Sequence, residues 1–170
     1  MERLNKLIGD IKYKQYLTKI KQRERERIFC RHNWSHFINV GRIAYLLMLE
    51  QNLKDKLINI WKLQEDSKVQ EIIYTAAILH DIGRWKEYDT GQDHAQVSAD
   101  LAEGLLIDHG FVDLEQRIIL RAIREHRGES NGNKSLLGNL ISRADNLSRD
   151  CHACLARHKC KSIKNPIIEY

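Results

Sequence analysis

Val69-Gln-Glu-Ile-Ile-Tyr-Thr-Ala-Ala-Ile-Leu-His-Asp-Ile-Gly83 is the stretch whose reading decides the fold. Ile72, Ile73, Ala76 and Ala77 recur three and four residues apart, the spacing of one helix face. A further step of three or four arrives at His80, which therefore faces the core. Asp81 is rotated by about 100° on an ideal helix. Both lie in the last turn before Gly83, where the spacing predicts a helix end closed by a left-handed glycine and two side chains splayed toward one point.

The same periodicity extends almost throughout the 170 residues, and no long strand-like alternation appears. The chain reads as all-α, with helices expected near 2–20, 23–30, 34–51, 54–64, 68–82, 94–109, 113–126 and 134–156. Gly110 reads as another helix stop, and the run from Arg127 to Asn133 as a loop. Residues 84–93, with Gly91 and several polar side chains, read as irregular. One proline, 42% hydrophobic content and no linker or repeat predict a single compact helical domain spanning 1–170. Within it, basic helices fill 1–29, the core runs from about 30 to 150, and a cysteine-rich extension occupies 151–170.

Other helix faces carry metal-binding side chains inward. His36 shares a stripe with Val40, Ile43 and Leu47, and His94 one with Val97, Leu101 and Leu105. Ile118, Ile119, Ala122 and Ile123 lead to His126, and Leu137 and Ile141 lead to Asp145. A single histidine on such a stripe is ordinarily a core residue satisfied by a carbonyl. A buried carboxylate such as Asp145 needs a partner or a cation. Together these residues point to a metal, and a His/Asp donor set suits iron, manganese, cobalt, nickel or zinc. The six ligands His36, His80, Asp81, His94, His126 and Asp145 exceed what one catalytic ion needs. Two divalent ions sharing Asp81, with a hydroxide between them, would use all six.

His36 with Val40, then Leu79-His80-Asp81-Ile82-Gly83, then Ala144-Asp145, resembles the HD-domain metal-dependent phosphohydrolases over roughly 30–150. His94 and His126 resemble the extra histidines of the two-metal branch, which includes diadenosine tetraphosphatases and some phosphodiesterases. The resemblance implies one ion on His36, His80, Asp81 and Asp145, a second on His94 and His126, and Asp81 as the bridge. His32 lies one turn before His36 and competes for the first position; His36 carries the Val40 spacing.

These readings lead to a hydrolase of a phosphoester or phosphoanhydride in a nucleotide or other small phosphorylated metabolite. Asp81 is central, and Arg84 and Arg127 are expected to grip phosphate, arginine offering paired donors. Lys86 reads as a weaker candidate for the same task, Asp93 and Glu125 as relays or histidine supports, and Trp85 as a residue that packs or stacks on a base. A net charge of +5 keeps a nucleic-acid-binding protein or a catalytically silent metal-binding sensor as alternatives. The run Lys21 to Arg27 reads as a solvated helix face with internal ion pairs.

Cys151-x2-Cys154-x5-Cys160 is part of a zinc pattern, with Cys30, His152 or His158 as a fourth ligand; free thiols are the competing reading. Met-Glu-Arg-Leu-Asn-Lys at the start lacks the apolar stretch of a secretion signal, and no run is long enough to span a membrane. The cytosol is the expected location. Self-association is left open by the sequence.

Overall fold

A computed structural model describes residues 1–63, 65–128, 134–151 and 153–160. The expected loop at 129–133, His152 and the tail after Cys160 lie outside the described residues. Among those described, the elements are α1 (Glu2–Gly9), α2 (Ile11–Arg23), α3 (Trp34–Glu50), α4 (Lys54–Trp61), α5 (Asp66–Leu79), α6 (Arg84–Thr90), α7 (His94–Asp108), α8 (Asp113–Glu125) and α9 (Leu136–Leu147), with a 3-10 turn at Arg157–Lys159. The all-α reading holds, and no described helix is long and apolar enough to cross a membrane.

The quoted stretch is the axis of the bundle. α5 is buried on every side, through Val69, Ile72, Ile73, Ala76, Ala77, Ile78 and Leu79, as expected of a helix apolar all round. α3, α4, α8 and α9 pack around it, and α7 lies against α8. Burying each Ile or Leu stabilises the fold by roughly 1.5–3 kcal/mol.

Several boundaries depart from the periodic reading. The helix expected at 2–20 is broken at Asp10, whose carboxylate accepts from the Lys12 backbone N–H (2.6 Å) and caps α2, while also meeting His109 Nε2 at 3.0 Å. The helix expected at 23–30 does not form. Glu24, far from lying on a solvated face, is 3% exposed, and α2 ends so that this carboxylate can turn inward. Conversely, 84–90 is helical, supported by Arg84 pairing with Glu87 at 2.7 Å and closed by Gly91 at φ +74°. α9 stops at Leu147 rather than 156: Ser148 Oγ donates to the Asp145 carbonyl (2.8 Å), and the chain turns away.

Gly110 has the left-handed φ expected of it, +74°. Gly83 does not, at φ −87°. Its glycine is needed for space: a Cβ there would lie 2.6 Å from Ser98 N and 2.8 Å from Val97 Cγ1. The turn after α5 thus sits directly on α7, and Gly83 N–H donates to Ser98 Oγ at 2.9 Å.

Candidate metal centre

Five helix ends meet at one point. The first turn of α3 brings His36, the turn after α5 brings His80 and Asp81, the start of α7 brings His94, the end of α8 brings His126, and α9 brings Asp145. All six residues expected from the sequence converge. His32, weighed against His36, converges as well, from the stretch leading into α3, so the choice between the two does not arise.

Asp81 is the hub. Its Oδ2 lies 3.2 Å from His32 Nε2 and 3.4 Å from His80 Nε2. Its Oδ1 lies 3.1 Å from His94 Nε2 and 3.4 Å from His126 Nε2. On the first side, Asp145 Oδ1 stands 3.5 Å from His36 Nε2 and 4.0 Å from His80 Nε2. Three sets of donors lie close enough to share an ion: His32, His36 and Asp81; His36, His80 and Asp145; His80, Asp81 and His126.

Each imidazole turns Nε2 toward this point because its Nδ1 is occupied elsewhere. His80 Nδ1–H donates to the Ala77 carbonyl (2.7 Å), and His126 Nδ1–H to that of Ile123 (2.6 Å). His36 Nδ1 meets Ser148 Oγ at 3.2 Å. His32 Nδ1 is held in a short contact with Glu24, whose carboxylate also accepts from the His32 backbone N–H (2.7 Å) and from Tyr88 Oη (2.6 Å). His94 Nδ1 lies 2.8 Å from Glu87 Oε2 and 2.7 Å from Arg84 Nη1; with Nε2 left for an ion, the proton sits on Nδ1 and Glu87 accepts it. Partners of this kind fix the tautomer and ring orientation of metal-binding histidines.

The protonation states of His36, His80, Asp81 and Asp145 suit ligation, whereas His126 must give up a proton to bind. Complete burial pushes His80 down to about 4, and burial likewise lowers His36. Burial alone would raise Asp81, yet His80, His32 and the other imidazoles hold it well below the usual carboxylate range. Asp145 is lowered too, with His80 and Arg149 outweighing its burial. His126 is raised because the Asp81 carboxylate outweighs burial.

The metal fits on a further ground. Nε2 of His36, Nε2 of His80 and Oδ1 of Asp81 are buried with no hydrogen-bond partner of normal geometry among the described residues. Such orphaned atoms are costly unless something binds them. That three of them face one point is a signature of a cation site.

A cavity of about 210 Å³ opens over the centre, lined by His32, Asp81, His94, His126, Asp145 and the arginines Arg84, Arg127 and Arg149. Arg84 and Arg127 were expected there. Arg149 was not; its Nη2 pairs with Asp145 Oδ2 at 2.9 Å, one further four-residue step along the stripe of Leu137, Ile141 and Asp145. Lys86 does not line the cavity. Asp93 and Glu125 serve backbone instead: Asp93 caps α7 through Ala95 N–H (2.8 Å), and Glu125 accepts from Ser135 N–H (2.7 Å) ahead of α9. The histidine supports are Glu24 and Glu87, both missed. Trp85 packs under Lys19, 4.2 Å from the ring centre, away from the cavity.

The HD domain family model matches residues 33–150. The chain belongs to the HD domain family. HD domains are generally metal-dependent phosphohydrolases that bind divalent ions, and the His-Asp doublet and its partners lie within the matched range. An uncharacterized protein of Clostridium beijerinckii (strain ATCC 51743 / NCIMB 8052) is 36% identical over 94% of this chain and 92% of its own length. No solved structure matches. Glu24, His32 and all four cysteines fall outside the part matched to the HD domain.

Proposed function

We propose that the centre holds two divalent transition-metal ions and that the protein hydrolyses a phosphoester or phosphoanhydride of a small phosphorylated substrate, with nucleotides the favoured class. The observation that carries this reading is the convergence of four Nε2 atoms, those of His32, His80, His94 and His126, on the two oxygens of Asp81, with His36 Nε2 beside Asp145. His36, His80 and Asp145 serve one ion, His94 and His126 the other, and Asp81 is shared. Bound there, the ions supply a water acidic enough to attack phosphorus near neutral pH and neutralise charge on the phosphoryl oxygens.

The protein's own groups do the rest. Arg84, Arg127 and Arg149 rim the cavity and offer planar paired donors for phosphoryl oxygens. Arg127 pairs with Asp93 (2.8 Å) and Glu87 (3.0 Å); it and Asp93 are half exposed, so that pair is released for this task at modest cost. His32, steadied by Glu24, lines both this cavity and an adjoining groove of about 680 Å³ with Leu17, Lys21, Arg25, Arg31 and Trp34. The smaller cavity suits a phosphate; the larger one suits the remainder of the substrate, and Trp34, 43% exposed, offers a face for a base.

A small substrate is favoured over a nucleic acid because part of the basic N-terminal charge is paired within the fold, while Lys21, Arg25 and Arg31 line the groove beside the centre. Arg3 is spent on Glu71 and Glu115, Lys12 on Asp108 and Arg23 on Asp89. The test is metal analysis of the purified protein followed by a phosphate-release screen over nucleotides and dinucleoside polyphosphates, with Asp81→Asn and His80→Ala as controls. Both variants are expected to lose metal and turnover. Undiminished turnover with unchanged metal in either one would refute the assignment, and metal binding without any phosphate release would leave a silent sensor.

A further inference from the structure

The chain has four cysteines, at 30, 151, 154 and 160. None is in a disulfide, and all four are half-buried. They come from two places far apart in sequence: Cys30 lies just before α3, and the other three follow α9. The fold brings these places together. α3 and α9 pack along one another, with the start of one against the end of the other, as the contact of His36 with Ser148 at 3.2 Å records. Cys151 and Cys154 lie close enough to Cys30 for their charges to act on it, and Arg149 is within reach of both Cys30 and Cys151. A cleft of about 600 Å³ runs between the 25–31 stretch and Leu155–Lys159.

The stretch after α9 is lightly attached among the described residues, with Ala156 its one buried apolar side chain. Its described backbone hydrogen bonds are local turns, Cys151 N–H to Arg149 (2.9 Å), Arg157 N–H to Cys154 and Cys160 N–H to Arg157 (both 3.1 Å), and Leu155 is 95% exposed. An apolar core contributes little to holding Cys151 and Cys154 near Cys30. The thiols are gathered without being at ligand spacing, since the convergent donor sets contain only histidine and aspartate. The movement required falls on this irregular stretch.

We propose that Cys30, Cys151, Cys154 and Cys160 bind one zinc ion that ties the segment entering α3 to the segment leaving α9. Cys-x2-Cys in a turn is a standard zinc bite, and four thiolates fill the tetrahedron, so the ion is structural. Each thiol gives up its proton on binding. The resulting negative cluster is offset by Arg149 and by Arg27, which donates to the Cys30 carbonyl at 2.8 Å. Arg149 also grips Asp145 at 2.9 Å, so the zinc fixes an arginine at the rim of the metal centre. The site stands independently of whether that centre is hydrolytic.

The experiment is zinc and thiol analysis of the full chain. His80→Ala, stripped at the histidine centre, is expected to keep one zinc per chain; Cys151→Ser/Cys154→Ser is expected to lose one equivalent and retain the metal of the centre. Because the double variant risks misfolding, native wild type is also titrated with an organic mercurial beside a chromogenic zinc chelator, with release of one zinc as the four thiols react. Cobalt-substituted wild type should show thiolate-to-cobalt charge-transfer absorption, absent in Cys154→Ser. Four thiols reacting without zinc release, a disulfide found by mass, or equal zinc in wild type and the double cysteine variant would each overturn the proposal.

Discussion

Replacing Arg3 by alanine removes the clamp that fastens the first helix to the bundle. The guanidinium meets Glu71 Oε2 at 2.6 Å and Glu115 Oε2 at 2.6 Å, and donates to the Gly110 carbonyl at 3.2 Å. Its two acidic partners are only 6% and 1% exposed. Removing one partner of a buried pair costs about 3–5 kcal/mol, because the charge left behind has neither water nor counterion. The Arg3 side chain is itself 26% exposed, so water can follow it in, and about 3 kcal/mol is the expected loss. For a chain of this length that is a fall in Tm of about 6–12 °C. The pH dependence is a second handle. Burial would raise Glu115, but Arg3 holds it below its ordinary value of 4.5. A depressed carboxylate contributes stability that is present above that value and disappears as pH falls through the folded-state value. The gap between wild type and Arg3→Ala should therefore be full at pH 7 and narrow below about pH 4.5 as Glu115 protonates. Thermal melts followed by circular dichroism at several pH values measure both. A Tm unchanged at pH 7, or a gap that does not narrow in acid, would refute the reasoning.

Three other outcomes are expected. Glu87→Gln removes the carboxylate behind His94 and should weaken metal binding about 10–100-fold, measured by competition with a chelator of known affinity, and should lower Tm of the metal-free protein slightly through the lost pairs with Arg84 and Arg127. Gly83→Ala pushes a methyl group against the α7 backbone and should cost about 1–3 kcal/mol, read as a lower urea midpoint together with reduced metal content. Trp34→Ala should weaken nucleotide substrates by about 1–3 kcal/mol of lost stacking, visible as a raised KM, and leave hydrolysis of p-nitrophenyl phosphate unaltered; equal effects on both substrates would remove Trp34 from the site.

Where periodicity and chemistry agreed, the fold and the centre were legible in the sequence. The stripe ending at His80, and those ending at His126 and Asp145, each place a polar residue where packing would choose leucine, and each arrives at the centre. What periodicity could not reach were residues outside regular helix. His32 approaches from an irregular stretch; Arg149, by contrast, four residues on from Asp145, was within reach of the stripe and was passed over. Glu24 read as one member of a mixed-charge run; its burial follows from hydrogen bonds to a histidine eight residues on and to Tyr88, contacts no stripe encodes. Glu87 was hidden because 84–93 was read as loop. Its helix rests on Arg84, Glu87 and Tyr88 side-chain pairing rather than on an apolar face. Gly83 was recognised as a required glycine for the wrong reason, since close approach to α7, and not a left-handed backbone, excludes a side chain there.

His80 and His126 are each tethered to a carbonyl of the very helix they terminate. Because those tethers are local, the rings are aimed as soon as their helices form, before any cation arrives. Ion capture then needs no refolding. A chelator should be able to empty the site and fresh metal refill it repeatedly, with the α-helical signal untouched throughout.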